Sequence, residues 1–457
     1  MLAMRFRSGV REIGALLPHV LREPPSYWRC RRFLKQAQFW PVNAIRAWQL
    51  ERLQQIVRFA YEHTEGYREL YMAARVHPRD VRALSDLRHL PFVTKDILRD
   101  NLSAFSAQTP GREYITTGGS TGIPFGFYIR RRDVITERAF IHAGWAMAGW
   151  RHGTPNAVLR GSFVGSRERT WRWDAFRRQL ILSSYFLLPE TAADFLRLSR
   201  EHAATVIEAY PSSLNILCDL VSDLGMRDEF PFSLALLGSE NVYDWLVDKV
   251  TEALPSTRLF AWYGHAEQAV LAPWCETSRE YHVWPYYGMV NIVGDGGADV
   301  DVDHEGEIVA TSLRLRATPF IRYRTMDRAV RGADQCKQCG RHFQMLTRVT
   351  GRAHEVIVTS TGRYISMTMV NFHDSIFDGL RQFQFRQDRA GEVTFRYIPK
   401  HPLDDRQVDA IHAGLMAKLG NDMVLHVREV ETIERTPSGK YRFLDQRMNI
   451  RYGVNGE

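Results

Sequence analysis

The chain has 457 residues, 45% of them apolar and 25% charged, the balance of an ordinary soluble globular protein too long for one compact core. Its formal net charge of +8 admits nucleic acid, a membrane surface or a polyanionic small molecule as a partner. No apolar run is long enough to cross a membrane, and five cysteines are too few, and odd, for a disulfide framework, so the reducing cytoplasm is the expected compartment.

The N-terminus is basic: Arg5, Arg7, Arg11, Arg22, Arg29, Arg31 and Arg32 meet few acids. It lacks a long apolar core followed by a small-residue cleavage site, so it makes a poor signal peptide. A solvated helical face is the plain reading. The apolar Leu16, Leu17, Val20 and Leu21 among the arginines make a weak peripheral membrane contact the alternative. From Leu50 through Leu53, Ile56, Val57 and Ala60 apolar residues recur at helical spacing, and Thr94-Lys-Asp predicts a helix start capped by a hydroxyl. From Tyr114 the texture changes. Short apolar runs (Ala204 to Ala209, Leu234 to Leu237, Arg258 to Trp262, Glu307 to Ser312) alternate with helical patterns, which predicts an α/β domain with substantial sheet. After Gly351 the pattern restarts. Strands are predicted over Glu392 to Ile398 and Met423 to Val430, with a helix from about Arg406 to Leu419, which makes a small α+β unit.

The segment Thr116-Thr-Gly-Gly-Ser-Thr-Gly-Ile-Pro124 packs three glycines and four hydroxyls into the seven residues Thr116 to Gly122. Glycines let backbone N–H groups wrap an anion, and hydroxyls add donors. No Lys-Ser or Lys-Thr follows the last glycine, so the loop is not a Walker motif. A flexible turn is the competing reading of this segment by itself.

Further segments follow in order: Tyr263-Gly-His-Ala-Glu267, Gly306-Glu307-Ile-Val, Ile321-Arg-Tyr-Arg-Thr-Met-Asp327, Gly351-Arg352 and Thr436-Pro-Ser-Gly-Lys440. From about residue 50 to about 445 the series resembles the adenylate-forming superfamily. It is most similar to the phenylacetate–CoA ligase family, including the branch of capsular polysaccharide biosynthesis proteins. The resemblance implies an α/β fold with a large N-terminal adenylate-forming domain, residues 1–352 with a helical lead-in over about 1–110, and a small α+β C-terminal lid, residues 353–457.

It also implies roles. Thr117, Gly118, Gly119, Ser120, Thr121 and Gly122 would cradle the ATP phosphates. Gly238, Ser239, Glu240, Tyr263 and Gly264 would border the adenine. Asp327 would accept from the ribose hydroxyls, with Arg352 in support. Glu267 would ligate Mg²⁺, a hard cation that takes one or two carboxylates beside phosphate. Lys440 would be the catalytic cation that bridges carboxylate and α-phosphate. His354 marks the hinge, and Tyr210, Pro211, Ala261 and Trp262 border the acyl pocket. Three positions depart from the common pattern: Ile123 stands where many relatives have Lys, Met326 where many have Gly, and His354 where an acid is common.

Cys336-Lys-Gln-Cys339 has the spacing of a zinc knuckle, and Cys275 and His282 upstream complete a closed Cys₃His set for a structural Zn²⁺. Four reduced residues without metal is the other reading. Cys30 and Cys218 look like ordinary thiols.

The expected chemistry is ATP-dependent adenylation of a carboxylic acid, followed by acyl transfer, foremost to the thiol of coenzyme A. An amine or hydroxyl of a sugar or metabolite, in capsule or exopolysaccharide synthesis, is the alternative acceptor. A non-catalytic nucleotide-binding relative is the weaker rival, and the presence of Lys440, Glu267 and Asp327 argues against it. A nucleic-acid partner is not expected, because the sequence shows no stacking platform or recognised helix motif. A homodimer stays open.

Overall fold

The computed structural model describes residues 18–116, 125–160, 170–184, 187–352, 356–361, 364–366, 377, 379–434 and 442–448; at 352, 356, 364 and 366 it describes the backbone alone. Contacts divide the chain into two compact units. The first joins Met1–Gly153 to Phe260–Val349, and the second joins Thr154–Leu259 to Thr350–Glu457.

The chain opens with helices α1 (Pro25–Ala37), α2 (Val42–His63), α3 (Glu65–Ala73) and the short α4 (Lys95–Asp100). In α2 the predicted Leu53, Ile56, Val57 and Ala60 are buried together with Ile45, while Leu50 is half-buried. The Thr94 hydroxyl caps α4 by accepting from the Ile97 N–H at 3.2 Å. The hairpin β1 (Arg112–Thr116) and β2 (Gly126–Arg130) follows and feeds α5 (Arg131–Met147). Phe140 of α5 packs with Leu34, Ile45, Trp284, Tyr287 and Phe343 in the core of the first unit.

The second unit begins with β3 (Asn156–Arg160), β4 (Trp171–Asp174) and β5 (Gln179–Ser183). Helix α6 (Pro189–Glu201), β6 (Val206–Ala209), α7 (Pro211–Asp223), β7 (Leu234–Leu237) and α8 (Asp244–Ala253) come next. Strands β5, β3, β6 and β7 lie side by side and parallel, with β4 antiparallel at the edge beside β5. All four residues of β6 and of β7 are buried, as strands covered on both faces should be. Helix α7 is buried from Pro211 through Val221.

The chain then returns to the first unit with β8 (Arg258–Gly264), which pairs antiparallel with β9 (Leu271–Pro273). A five-stranded sheet follows, built from β10 (Tyr281–His282), β11 (Gly288–Val293), β12 (Glu305–Ser312), β13 (Tyr323–Arg331) and β14 (Met345–Arg352), in the order β10-β14-β13-β12-β11. Gly306 is required in β12: a Cβ there would lie 2.6 Å from the carbonyl oxygen of Val293.

The C-terminal elements are the pair β15 (Val356–Val358) and β16 (Tyr364–Ser366), then β17 (Leu380–Arg389), β18 (Glu392–Pro399), α9 (Asp405–Leu419), β19 (Val424–Glu429) and β20 (Leu444–Gln446). Four of them form the sheet β19-β18-β17-β20, and α9 lays Ile411, Leu415 and Leu419 inward. This is the predicted small α+β unit. Its helix starts with a reciprocal cap: Asp404 accepts from the Gln407 N–H at 2.9 Å, and the Gln407 side chain accepts from the Asp404 N–H at 3.0 Å. Asp404→Ala leaves the Gln407 N–H without its acceptor, and we expect it to lower the melting midpoint by about 2–4 °C in calorimetry. An unchanged midpoint would mean that water replaces the cap at no cost.

Among the described residues no helix is long and apolar enough to cross a membrane. Of the apolar residues among the N-terminal arginines, Val20 and Leu21 are exposed.

Candidate active site

The first unit carries a polar cluster on β8, β13 and the segment that follows β8. In β8 the hydroxyl of Tyr263 donates to Asp327 Oδ2 at 2.7 Å. Asp327 owes its position to an irregularity in the β12–β13 ladder. Glu307 pairs with Arg328 but Val309 pairs with Arg324, so Thr325, Met326 and Asp327 oppose Ile308 alone. Such a bulge re-aims side chains. Met326 takes up the distortion with φ of +66°, the conformation that glycine adopts most easily. A glycine would take that conformation without strain. The Thr325 hydroxyl donates to the Ile308 carbonyl at 2.7 Å and accepts from the Asp327 N–H at 3.1 Å, which locks the turn.

Glu267 is only 5% exposed. The Tyr323 hydroxyl donates to its Oε1 at 3.0 Å, His265 Nδ1 lies 3.1 Å from Oε2, and Lys95 Nζ lies 3.4 Å from Oε1. Burial opposes ionisation of this carboxyl. The hydrogen bond and charge of His265, together with the charge of Lys95, outweigh it and hold Glu267 well below the usual carboxylate range. Glu267 is thus a buried carboxylate whose surroundings favour its charged form and whose remaining lone pairs suit a hard divalent cation. Among the described residues, His265 Nε2 is buried without a hydrogen-bond partner.

A second network adjoins it. Arg314 Nη2 donates to Glu137 Oε2 at 2.7 Å and to Gln268 Oε1 at 2.7 Å, and Glu137 also accepts from the Tyr287 hydroxyl. Burial pushes the Glu137 carboxyl up, while Arg314 and Tyr287 oppose that. Gln268, directly after Glu267, has φ of +53°. Strained residues concentrate at functional sites. Ala261 is buried, and Trp262 packs edge-on against Trp145 of α5 at 5.5 Å between centroids.

The second unit holds its own predicted site residues. Gly238 is buried after β7, Ser239 has φ of +70°, and the Ser239 hydroxyl is bonded to the Arg160 guanidinium. Arg160 also pairs with Glu208 and stacks 5.2 Å from the Tyr210 ring. Glu240 accepts from the Ser212 N–H at 3.0 Å and from its hydroxyl at 3.1 Å. An acid there satisfies an orphan donor at the α7 N-terminus and complements the helix dipole. Tyr210 and Pro211 are buried.

Cys275, His282, Cys336 and Cys339 converge in the first unit, with their ligand atoms within 4.8 Å of one another. Cys275 follows β9, His282 sits in β10, and the two remaining cysteines form the turn between β13 and β14. Cys275 Sγ lies 3.8 Å from Cys336 Sγ, and Cys339 Sγ lies 3.2 Å from His282 Nε2. Two thiolates bound at about 2.3 Å to a tetrahedral zinc stand about 3.8 Å apart, so the donor set and spacing fit that metal. Arg341 braces the turn through Glu276 at 2.6 Å. Burial first, and then Arg341, pushes His282 down to about 4, so its imidazole is neutral.

The glycine and hydroxyl loop Thr117 to Gly122, together with His354 and Lys440, lies outside the described residues; Arg352 ends β14, with its backbone alone described. Lys95, Tyr323, His265 and the Glu137–Arg314 pair were not singled out from the sequence. Lys95 was visible only as a helix start, and Tyr323 only as a letter of the Arg-Tyr-Arg-Thr string.

Comparison with known proteins first defines the class. A solved 2-hydroxyisobutyryl-CoA ligase, in the postadenylation state with 2-HIB-AMP, matches with a TM-score of 0.71 at 19% identity, over 90% of this chain and 91% of its own. The fold is therefore the α/β fold of adenylate-forming ligases. The phenylacetate-coenzyme A ligase of Thermus thermophilus is 26% identical over 81% of this chain and 87% of its own length. That of Escherichia coli K12 is 28% identical over 69% and 73%. Residues 357–447 match the family described as CapK C-terminal domain. The chain is thus similar to phenylacetate-coenzyme A ligases over most of its length, and to the CapK C-terminal domain over residues 357–447.

Proposed function

We propose that this chain joins a carboxylic acid to AMP at the expense of ATP, releases pyrophosphate, and passes the acyl group to the thiol of coenzyme A. The observation that carries the reading is the meeting of motifs 64 residues apart, in which the Tyr263 hydroxyl and the Asp327 carboxylate pair at 2.7 Å. Close by in sequence, Glu267 is held ionised among Lys95, His265 and Tyr323.

On this reading Asp327 accepts from the ribose hydroxyls and Tyr263 lies beside the base. Thr117 to Gly122 cradle the phosphates, Gly238 to Glu240 flank the adenine, and Arg352 supports the ribose. Glu267 would hold Mg²⁺, which supplies charge neutralisation on the phosphates. Lys440 faces the negative charge that develops as the carboxylate attacks the α-phosphorus. Trp262 and Ala261 border an acyl pocket that suits an aromatic or other bulky acid. The residues after 352 act as a lid that turns about His354 between the two half-reactions. The zinc set ties the loop after Glu267 to the turn after β13 and takes no part in the chemistry. We place the enzyme in the cytoplasm.

A second reading follows from the CapK match. In it the acceptor is an amine or hydroxyl of a sugar or metabolite, in polysaccharide synthesis.

The test is pyrophosphate release with ATP, Mg²⁺ and a panel of carboxylic acids, with and without coenzyme A. We expect at least one acid to support release, and coenzyme A to be consumed with it. Asp327→Ala should raise the KM for ATP by roughly 10- to 100-fold, the loss of hydrogen bonds to a charged group. Absence of release with every acid, or an unchanged KM in the variant, would overturn the reading.

A further inference from the structure

Away from every residue assigned above to nucleotide, acid or zinc, the first unit contains a cavity of about 370 Å³ between α1, α2, the start of α5 and the segment after β12. Five arginines line it: Arg52, Arg130, Arg132, Arg314 and Arg316. Two of them are neutralised locally. Arg130 is clamped by Asp133, with Nε 2.7 Å from Oδ2, and Arg314 by Glu137 at 2.7 Å. The other three have no carboxylate within ion-pair distance among the described residues. Arg52 bonds only to the neutral Gln55, at 3.0 Å. Arg316 lies over the Phe59 ring at 4.9 Å, and Arg132 is exposed in the first turn of α5.

This arrangement breaks local rules. Cations in the first turn of a helix face the positive end of its dipole, yet α5 begins Arg131-Arg132. Like charges held around one cavity repel. Burial first, and then Arg130, Arg132 and Arg52, hold the Arg316 guanidinium below its ordinary range, with Asp133 only partly offsetting them. Arg52 and Arg314 each keep a buried Nε–H with no hydrogen-bond partner among the described residues. Such violations concentrate where a protein binds something. The rest of the lining is apolar and ring-rich, with Phe33, Trp48, Ile56, Phe140, Tyr286 and Leu313.

We propose that this cavity is a second ligand site, separate from the nucleotide site, for a small anion of at least two negative charges carried on a ring or other apolar body. The anionic group lies among Arg52, Arg132 and Arg316, where bidentate guanidinium contacts replace mutual repulsion. The apolar body lies against the aromatic lining. A cavity of about 370 Å³ takes a phosphorylated aromatic of one or two rings and excludes a long polymer.

The test uses the full chain with its nucleotide site filled by an α,β-methylene analogue of ATP and Mg²⁺, so that phosphate probes cannot bind there. Titration calorimetry with 2-naphthyl phosphate should show one saturable site per chain, weakened by salt. Inorganic phosphate, which lacks the ring, and 2-naphthol, which lacks the charge, should each bind at least about tenfold more weakly. Arg132→Gln and Arg316→Gln should each cost about tenfold in affinity and the double variant more, without loss of melting temperature, because repulsion is relieved. Pyrophosphate release by the double variant should stay within about twofold of wild type, which separates failure here from failure of the proposed activity. No saturable binding to wild type, or equal binding to the double variant, overturns the site.

Discussion

Lys440→Ala is expected to lower acid-dependent pyrophosphate release by about two to three orders of magnitude while leaving ATP binding intact, the signature of a donor used only in the transition state. The string Thr436-Pro-Ser-Gly-Lys440 is composed of residue types that favour turns. The long stem of the lysine delivers one point charge. The Glu267 carboxylate already has Lys95, His265 and Tyr323 as partners. A further cation is needed only when charge appears at the α-phosphate. Chemically made acyl-AMP, once the acid is known, separates the two half-reactions. Lys440→Ala should still convert it to product. His354→Pro fixes φ and removes a backbone donor, so it should impair at least one half-reaction that wild type completes. If Lys440→Ala fails on acyl-AMP as badly as on acid plus ATP, the lysine serves both steps and the two-orientation lid loses its main support.

The legibility of the molecule followed the range of the forces involved. The capped start of α4 and the strand at Leu234–Leu237 could be read because hydroxyl caps and short apolar runs act locally. The predicted strand from Ala204 begins two residues late, at Val206, because the preceding residues follow the end of α6. The two-residue β10 carries no periodicity at all, although it holds His282. Asp327 and Tyr263 were both nameable, but not their direct bond, which needs three residues of β13 to oppose one of β12. Met326 stood out as an odd letter, and its positive φ supplies the reason. Lys95 reaches Glu267 from 172 positions away in the chain, and no local signal encodes such a pair. Glu240 was expected beside the adenine, and its carboxylate is engaged with Ser212 at the head of α7, a helix that starts 29 residues earlier. The return of the chain to its first unit at Phe260 is likewise a property of the whole contact pattern.

The purified protein should carry about one zinc per chain after dialysis, and Cys336→Ser should lose it together with much of the stability of the first unit. The four ligands come from three segments: the loop after β9, strand β10 and the turn before β14. Without metal, three thiols and an imidazole would be packed together with little to gain. The Sγ–Sγ separation of 3.8 Å between Cys275 and Cys336 is far beyond the about 2.05 Å of a disulfide, and thiols are weak hydrogen-bond partners. With Zn²⁺ the same spacing becomes a tetrahedron edge. The three thiolates leave the centre one negative charge, and Arg341, 4% exposed, stands beside it. Zinc binding contributes about 10–16 kcal/mol in small zinc-finger peptides, where it is the folding energy itself. In a larger unit with its own core part of that is retained, so the variant should fold but melt well below wild type. A chelator strong enough to strip the metal should reproduce the variant's melting curve in wild type and leave the variant unchanged. Because the ligands must be deprotonated, metal should also leave the wild type as pH falls. Wild-type protein that contains no zinc, and melts at the same temperature with and without added zinc, would show that the cysteines are simply reduced and that the first unit holds the loop after Glu267 by packing alone.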